Sequence, residues 1–339
     1  MQEDLKQIIF LQTHLKNEED NQQYLNIIEK LFGDKVNLYN MINVNEETDL
    51  YNINCMAKFF NEFCVFYYVY KNGLYKDYDI ISLGHYRRFP NPNLIRTDKI
   101  MENIIQTYDV YLYLPNLFEG MINLDELKEN YGDSYYYLYL YFYSLNYQKW
   151  IIDDMVEYFE SQNIIPIDSI KKVLSLTSNP KWYRFIARSM VSINQNNFIK
   201  LMEFVMGYFN YLSNKYNFNI FNFDELKKWY FHNIILDLRK QNIPERIKKE
   251  NITDIKIKNK LLLFQPIETY RKIYIDLDES GNGVDSYCNC YRYFGYIFET
   301  LVGVFTQSIN DNRPLMNGLC YKFEFPYKGS LWKYQYNKN

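Results

Sequence analysis

Two short apolar runs, Gln7–Thr13 and residues 79–84, bracket a stretch of different periodicity. Within residues 54–70, Met56, Phe59, Phe60, Phe63, Phe66, Tyr67 and Tyr70 recur every three or four positions. Short apolar runs suit buried strands, and three-and-four spacing lays one broad apolar face along a helix. Strand, helix and strand in that order constrain the chain to an α/β fold, because the helix carries the chain back to a neighbouring parallel strand. Lys71-Asn72-Gly73 reads as the end of that helix, with asparagine or glycine supplying a left-handed cap.

The same reading extends along the chain. Residues 36–42 and 109–114 read as strands, the second stopped by Pro115. Residues 124–130, 135–162 and 168–176 read as helices, and 182–193 returns to strand character. Residues 197–214 read as a helix with Phe198, Leu201, Met202, Phe204, Val205 and Tyr208 inward, and 291–308 as a last long helix. The expected architecture is a single α/β domain over residues 1–339. It has a mostly parallel central sheet flanked by helices, a helical insertion and a C-terminal helix. The core is expected over about residues 7–310, with a polar, lysine-rich excursion at 224–262 and an extension at 311–339.

Apolar residues make up 47% of the chain, which suffices for a large core and argues against disorder. The formal net charge of −3 argues against a protein that coats nucleic acid, since phosphate neutralisation needs an excess of Lys and Arg. Five cysteines without framework spacing favour a reducing, cytoplasmic setting. No run reaches the roughly 20 apolar residues of a membrane helix, and the first residues lack a secretory pattern. Peripheral contact with a membrane stays open. The 36 tyrosines and 24 phenylalanines match AT-rich coding and are discounted as a functional clue.

Chemistry concentrates where the run at 79–84 ends. His85, Tyr86, Arg87 and Arg88 follow its glycine at once. In open α/β sheets, ligands bind beyond the carboxyl ends of the strands. Guanidinium groups suit phosphate because they donate two parallel hydrogen bonds. Thr13 and His14 end the first strand in the same way.

Read together, these blocks resemble a known family. Asn52-Ile53, Glu62, Tyr67, Lys71-Asn72 and His85-Tyr86-Arg87-Arg88 follow in order. Residues 185–204 and the set Arg292, Gly295, Glu299 and Leu301 form two later blocks. The pattern resembles the capsular and exopolysaccharide-biosynthesis family of putative glycosyltransferases with a G-L-x-H-Y-R-R signature, catalogued as a domain of unknown function. That family's Asn-Met stands here as Ser189-Met190, and its Ser after Asn-Ile as Asn54.

The resemblance implies a GT-A-like fold and transfer of a sugar from a nucleotide-sugar donor to a glycan or lipid-linked acceptor. A UDP-hexose, galactose or galactofuranose among them, is the implied donor. Arg87 and Arg88 would stabilise the leaving diphosphate, and Glu299 would take the acceptor proton. His85, Tyr86, Thr13, His14 and Arg292 would hold the donor, with Glu62, Lys71 and Asn72 behind them. Many enzymes of that fold place manganese or magnesium on an Asp-x-Asp motif. Asp276 and Asp278 follow a strand and are the candidates here, whereas Asp77-Tyr78-Asp79 precedes its strand and reads as a strand-entry turn. A non-catalytic sugar- or nucleotide-binding module and an aromatic-rich interaction protein are the alternatives.

Overall fold

The computed structural model describes residues 5–13, 18–43, 60–85, 88–108, 111–113, 149–165, 183–185, 190–230, 293–310, 315–316, 321–324 and 333–335. In chain order the first elements are β1 (Gln7–Thr13), α1 (Glu18–Phe32), β2 (Tyr39–Asn43), α2 (Phe63–Lys71), β3 (Ile80–His85) and β4 (Arg88–Phe89). Then come α3 (Thr97–Met101), β5 (Gln106–Thr107), β6 (Tyr111–Tyr113), α4 (Lys149–Ser161), β7 (Tyr183–Phe185), β8 (Val191–Asn194) and α5 (Gln195–Tyr216). The last are α6 (Phe223–Tyr230), α7 (Tyr293–Ile309), β9 (Leu315–Met316), β10 (Tyr321–Glu324) and β11 (Lys333–Gln335). The chain divides into two compact units, one of Met1–Tyr111, Arg184–Val205 and Phe294–Asn339, the other of Leu112–Tyr183 and Met206–Tyr293.

The first unit is of α/β class, built on one sheet of nine of these strands. β1 is parallel to both β2 and β3, with Thr13 opposite Asn43 and Gln12 opposite His85. Six of its seven residues are buried, as befits a strand with a neighbour on each side and both faces covered. Beyond β3 the sheet turns antiparallel, through β8 to β5 and through β4 to β10 and β11. β9 then pairs parallel to β5. The sheet is therefore mixed rather than mostly parallel, because hairpin and C-terminal strands join where crossover strands were expected.

Local chemistry explains the elements that form. In α1, Tyr24, Ile28 and Phe32 fall at four-residue spacing and pack on Ile9, Leu11 and Ile80 of the sheet. Just before α2, Asn61 sits at φ 49, a left-handed conformation asparagine tolerates better than most side chains. The helical run expected across 54–70 is thus interrupted at Asn61, and α2 begins only at Phe63. α2 ends as expected. Gly73 has φ 66, its N–H donates to the Tyr70 carbonyl, and the Leu74 N–H donates to the Val69 carbonyl. That is the paired bonding of a Schellman cap.

β2 is shorter than the strand expected at 36–42, because residues 33–38 first form a 3₁₀ turn. Asn194 ends β8 and caps α5, its side-chain oxygen accepting from the Asn197 N–H at 2.8 Å. The six inward residues expected on that helix are all fully buried. Ser82 and Ser192, opposite each other on β3 and β8, share a hydrogen bond, and the Tyr108 hydroxyl bonds Ser192 as well. Residues 311–339 are more than an extension, since β9, β10 and β11 belong to the sheet.

The second unit is mainly helical where it is described, with strand residues only at its borders in β6 and β7. Tyr158 of α4 packs edge-on against Tyr208 of α5, and Trp229 of α6 stacks on Phe218 at 4.8 Å. α6 opens the segment expected as a surface excursion, yet its Leu226 and Trp229 are buried. Leu226 and Trp229 sit three apart, so one face packs while Lys228 stays outside. Among the described residues, no helix is long and apolar enough to cross a membrane.

Candidate functional site

The parallel strands β2, β1 and β3 end at the same edge of the sheet, Thr13 opposite Asn43 and Gln12 opposite His85. β3 then turns back into β4, with His85 directly opposite Arg88. The two residues between the strands, Tyr86 and Arg87, lie outside the described residues, as does His14. On the other side of β4, Lys322 of β10 stands opposite Arg88, and Gln335 of β11 stands opposite Lys322. A transverse row thus runs Gln12, His85, Arg88, Lys322, Gln335 across five strands, with no carboxylate in it.

Thr13 sits at the edge of this row. It is fully buried, and its hydroxyl finds no hydrogen-bond partner among the described residues. A buried polar group without a partner costs about 1–3 kcal/mol and calls for an explanation. A ligand at the carboxyl ends of the strands would supply one.

The two aspartates before β3 behave as a strand-entry turn. The Lys6 N–H donates to the Asp79 carboxylate at 2.9 Å, and the Asp79 N–H donates to the Lys6 carbonyl at 2.9 Å. The Gln195 side-chain amide donates to the carbonyls of Tyr75, Lys76 and Tyr78, which ties α5 to the same turn. All of this lies at the amino end of β3, away from the row.

Lys71 and Asn72 lie near that amino end too. Lys71 places its ammonium 5.7 Å from the Tyr67 ring, and the Asn72 amide donates to the Tyr68 carbonyl at 3.1 Å. Their places are explained by the helix terminus, and the structure does not bring them to the row. Glu62 immediately precedes the nine-residue α2, at its other end.

Gly295 and Glu299 lie on α7. A Cβ added at Gly295 would come within 2.8 Å of the Asn61 Cβ, so its missing side chain admits the turn before α2. Phe60 meets Phe294, and Phe63 and Phe66 both meet Phe298, so α2 and α7 pack through aromatic side chains. Phe198 of α5 joins Phe66, and Phe204 joins Phe305. The three stretches that carry the family resemblance therefore form one aromatic core. Glu299 is half-buried one turn beyond Gly295.

Arg292, Asp276 and Asp278 lie outside the described residues. Among the described residues, no group of three His, Cys, Asp or Glu side chains comes together to hold a metal ion.

A second polar cluster occupies the second unit. The Lys215 ammonium lies 2.9 Å from Asp154 and 2.5 Å from Glu157, and it donates to the Tyr211 hydroxyl at 2.8 Å. The Tyr216 hydroxyl donates to Asp154 at 2.6 Å. Burial raises the Asp154 carboxyl above its ordinary range despite these partners. Lys215 is also raised, because hydrogen bonds to Glu157, Tyr211 and Asp154 outweigh its own desolvation. The two directions agree with exposure, since the Asp154 side chain is 4% exposed and the Lys215 side chain 33%. Burial also holds the Tyr208 phenol well above its usual value. The cluster clamps α4 to α5.

Lys322 and Gln12 escape motif reading, since only strand register carries them to the row. The alternation Tyr321, Lys322, Phe323, Glu324, Phe325 was the available signal for β10. No protein-family model matches this chain, and no curated protein or solved structure does.

Proposed function

We propose that the chain is a glycosyltransferase that moves a sugar, a UDP-hexose its donor, to a glycan or lipid-linked acceptor. One observation carries this reading: the strand register sets His85 and Arg88 at the carboxyl ends of parallel strands, beside the end of β1. That is where open α/β sheets bind ligands. The order of the resembling blocks and their convergence in one core support the same reading.

In this reading the donor diphosphate lies at the end of β3, held by His85 and Arg88. The acceptor oxygen attacks the anomeric carbon, and the bond from that carbon to the diphosphate oxygen breaks. The electron pair leaves on the nucleoside diphosphate, whose growing charge the cations stabilise. Glu299 takes the acceptor proton. No step is routed through a metal. A divalent ion at Asp276 and Asp278 would add charge stabilisation to the same leaving group.

Thermal-shift measurements with UDP, GDP, CMP and their sugars, with and without manganese, test the reading. Stabilisation by UDP and turnover of a UDP-hexose are expected. Binding without turnover would make the protein a sugar- or nucleotide-binding module. No nucleotide-induced shift would favour an interaction protein. Arg88→Lys is expected to lower turnover at least about tenfold, because an ammonium cannot reproduce the two-pronged contact.

A further inference from the structure

We infer that the second unit carries a glycan-binding groove between α4 and α5, fitted to an uncharged, hydroxyl-rich sugar chain. The inference deepens the acceptor half of the proposed function, and it rests on that reading only for choosing a glycan among hydroxyl-rich ligands.

The groove has a volume of about 580 Å³ and is lined by Glu157 of α4 with Gly207, Asn210, Tyr211, Asn214 and Lys215 of α5. That volume lies in the ordinary range of small-ligand sites. The five α5 residues fall three and four apart, so they share one face of the helix. A Cβ at position 207 would run into the Tyr158 hydroxyl of α4. The glycine thus lets the two helices come close and leaves that part of the lining without a side chain.

The charged and aromatic part of the lining is held in place. Lys215 contacts Asp154, Glu157 and the Tyr211 hydroxyl, and the Tyr211 ring stacks on Tyr208. Binding does not have to order these side chains again, which removes part of the usual cost of association. Glu157 and Lys215 offset each other's charge, so the lining favours neither an anion nor a cation.

The remaining groups suit hydroxyls. Asn210 and Asn214 are both exposed, and their amides make no hydrogen bond among the described residues. Each amide offers two donors and an acceptor oxygen, and a carboxylate such as Glu157 accepts more bonds than its lysine uses. Donors and acceptors therefore stand side by side along one helix face. A sugar hydroxyl is donor and acceptor at once and can use both. An acyl chain or an amphipathic helix would need aliphatic anchors, and this lining supplies none.

The test uses the full chain on an array of neutral and acidic oligosaccharides, followed by calorimetry with the tightest neutral binder. Binding of neutral oligosaccharides is expected. The double variant Asn210→Ala, Asn214→Ala should raise the dissociation constant about tenfold or more, because the hydrogen bonds of two amides are lost. Its thermal midpoint without ligand should stay level, since both side chains are exposed. Asn196→Ala, at an exposed asparagine of α5 outside the groove, should bind like the parent.

Binding confined to acidic oligosaccharides would overturn the inference, as would no binding at all. Neutral binding that the double variant leaves unchanged would overturn it too. A UDP-induced thermal shift with no neutral oligosaccharide bound would leave the donor reading standing without this groove. Neutral binding that the double variant loses, with no UDP-induced shift, would keep the groove and sink the sugar-transfer reading instead.

Discussion

Thr13 shows how one side chain separates stability from binding. Its hydroxyl is fully buried and unpartnered, so its hydration is lost on folding with no hydrogen bond in return. Thr13→Val keeps the shape and removes the polar group. Its stability to chemical denaturation should match the parent or rise by up to about 1 kcal/mol, while UDP binding weakens. A clear loss of stability would mean the hydroxyl is bonded within the fold. Asp154 offers a second residue-level test. Its pKa is raised in the folded state by burial, so its contribution to stability is present at low pH and is lost as pH rises through that raised value. Relative to Asp154→Asn, the parent should therefore become less stable as pH climbs from about 4 toward neutrality. The opposite slope would show that the contact with Lys215 outweighs desolvation. Residue identities were legible in the sequence at these positions, but partners were not. Thr13 was named for its place at a strand end, and only packing showed its hydroxyl to be unpartnered.

Among the elements, α7 carries the sharpest contrast between sequence and structure. A glycine in a helix interior is worth about 1 kcal/mol less than alanine, so Gly295→Ala would stabilise an isolated helix. Here the added methyl would meet the Asn61 Cβ at 2.8 Å, at a turn whose left-handed backbone has little room to yield. Gly295→Ala is expected to lower stability by about 1–3 kcal/mol in chemical denaturation. An increase would show that the approach relaxes freely. The glycine could be read as a place of close approach from the sequence. That the approaching group is the turn before α2 needed the fold. Strand β1 and helices α5 and α7 were legible because their periodicity is local and unbroken. The break at Asn61 was hidden, since apolar spacing continues across it and only the backbone angle records it.

The whole molecule makes the C-terminal segment part of the fold. β9 pairs with β5 near the middle of the chain, and β10 pairs with β4 of the candidate site. A chain ending at residue 310 should lose cooperative unfolding or solubility, because β4 and β5 each lose a partner and expose strand edges. An unchanged, cooperative transition in the shortened chain would show these strands to be dispensable. What the sequence determined by itself was the set of local elements, the α/β class, and the presence of basic residues after a strand. Those follow from residue spacing within a few turns, which the chain carries wherever it folds. Tertiary structure alone decided the mixed sheet, the row from Gln12 to Gln335, and the gap that Gly295 leaves for Asn61. Each depends on register between segments far apart in sequence, and pairing by backbone hydrogen bonds leaves little trace in the side chains that are paired.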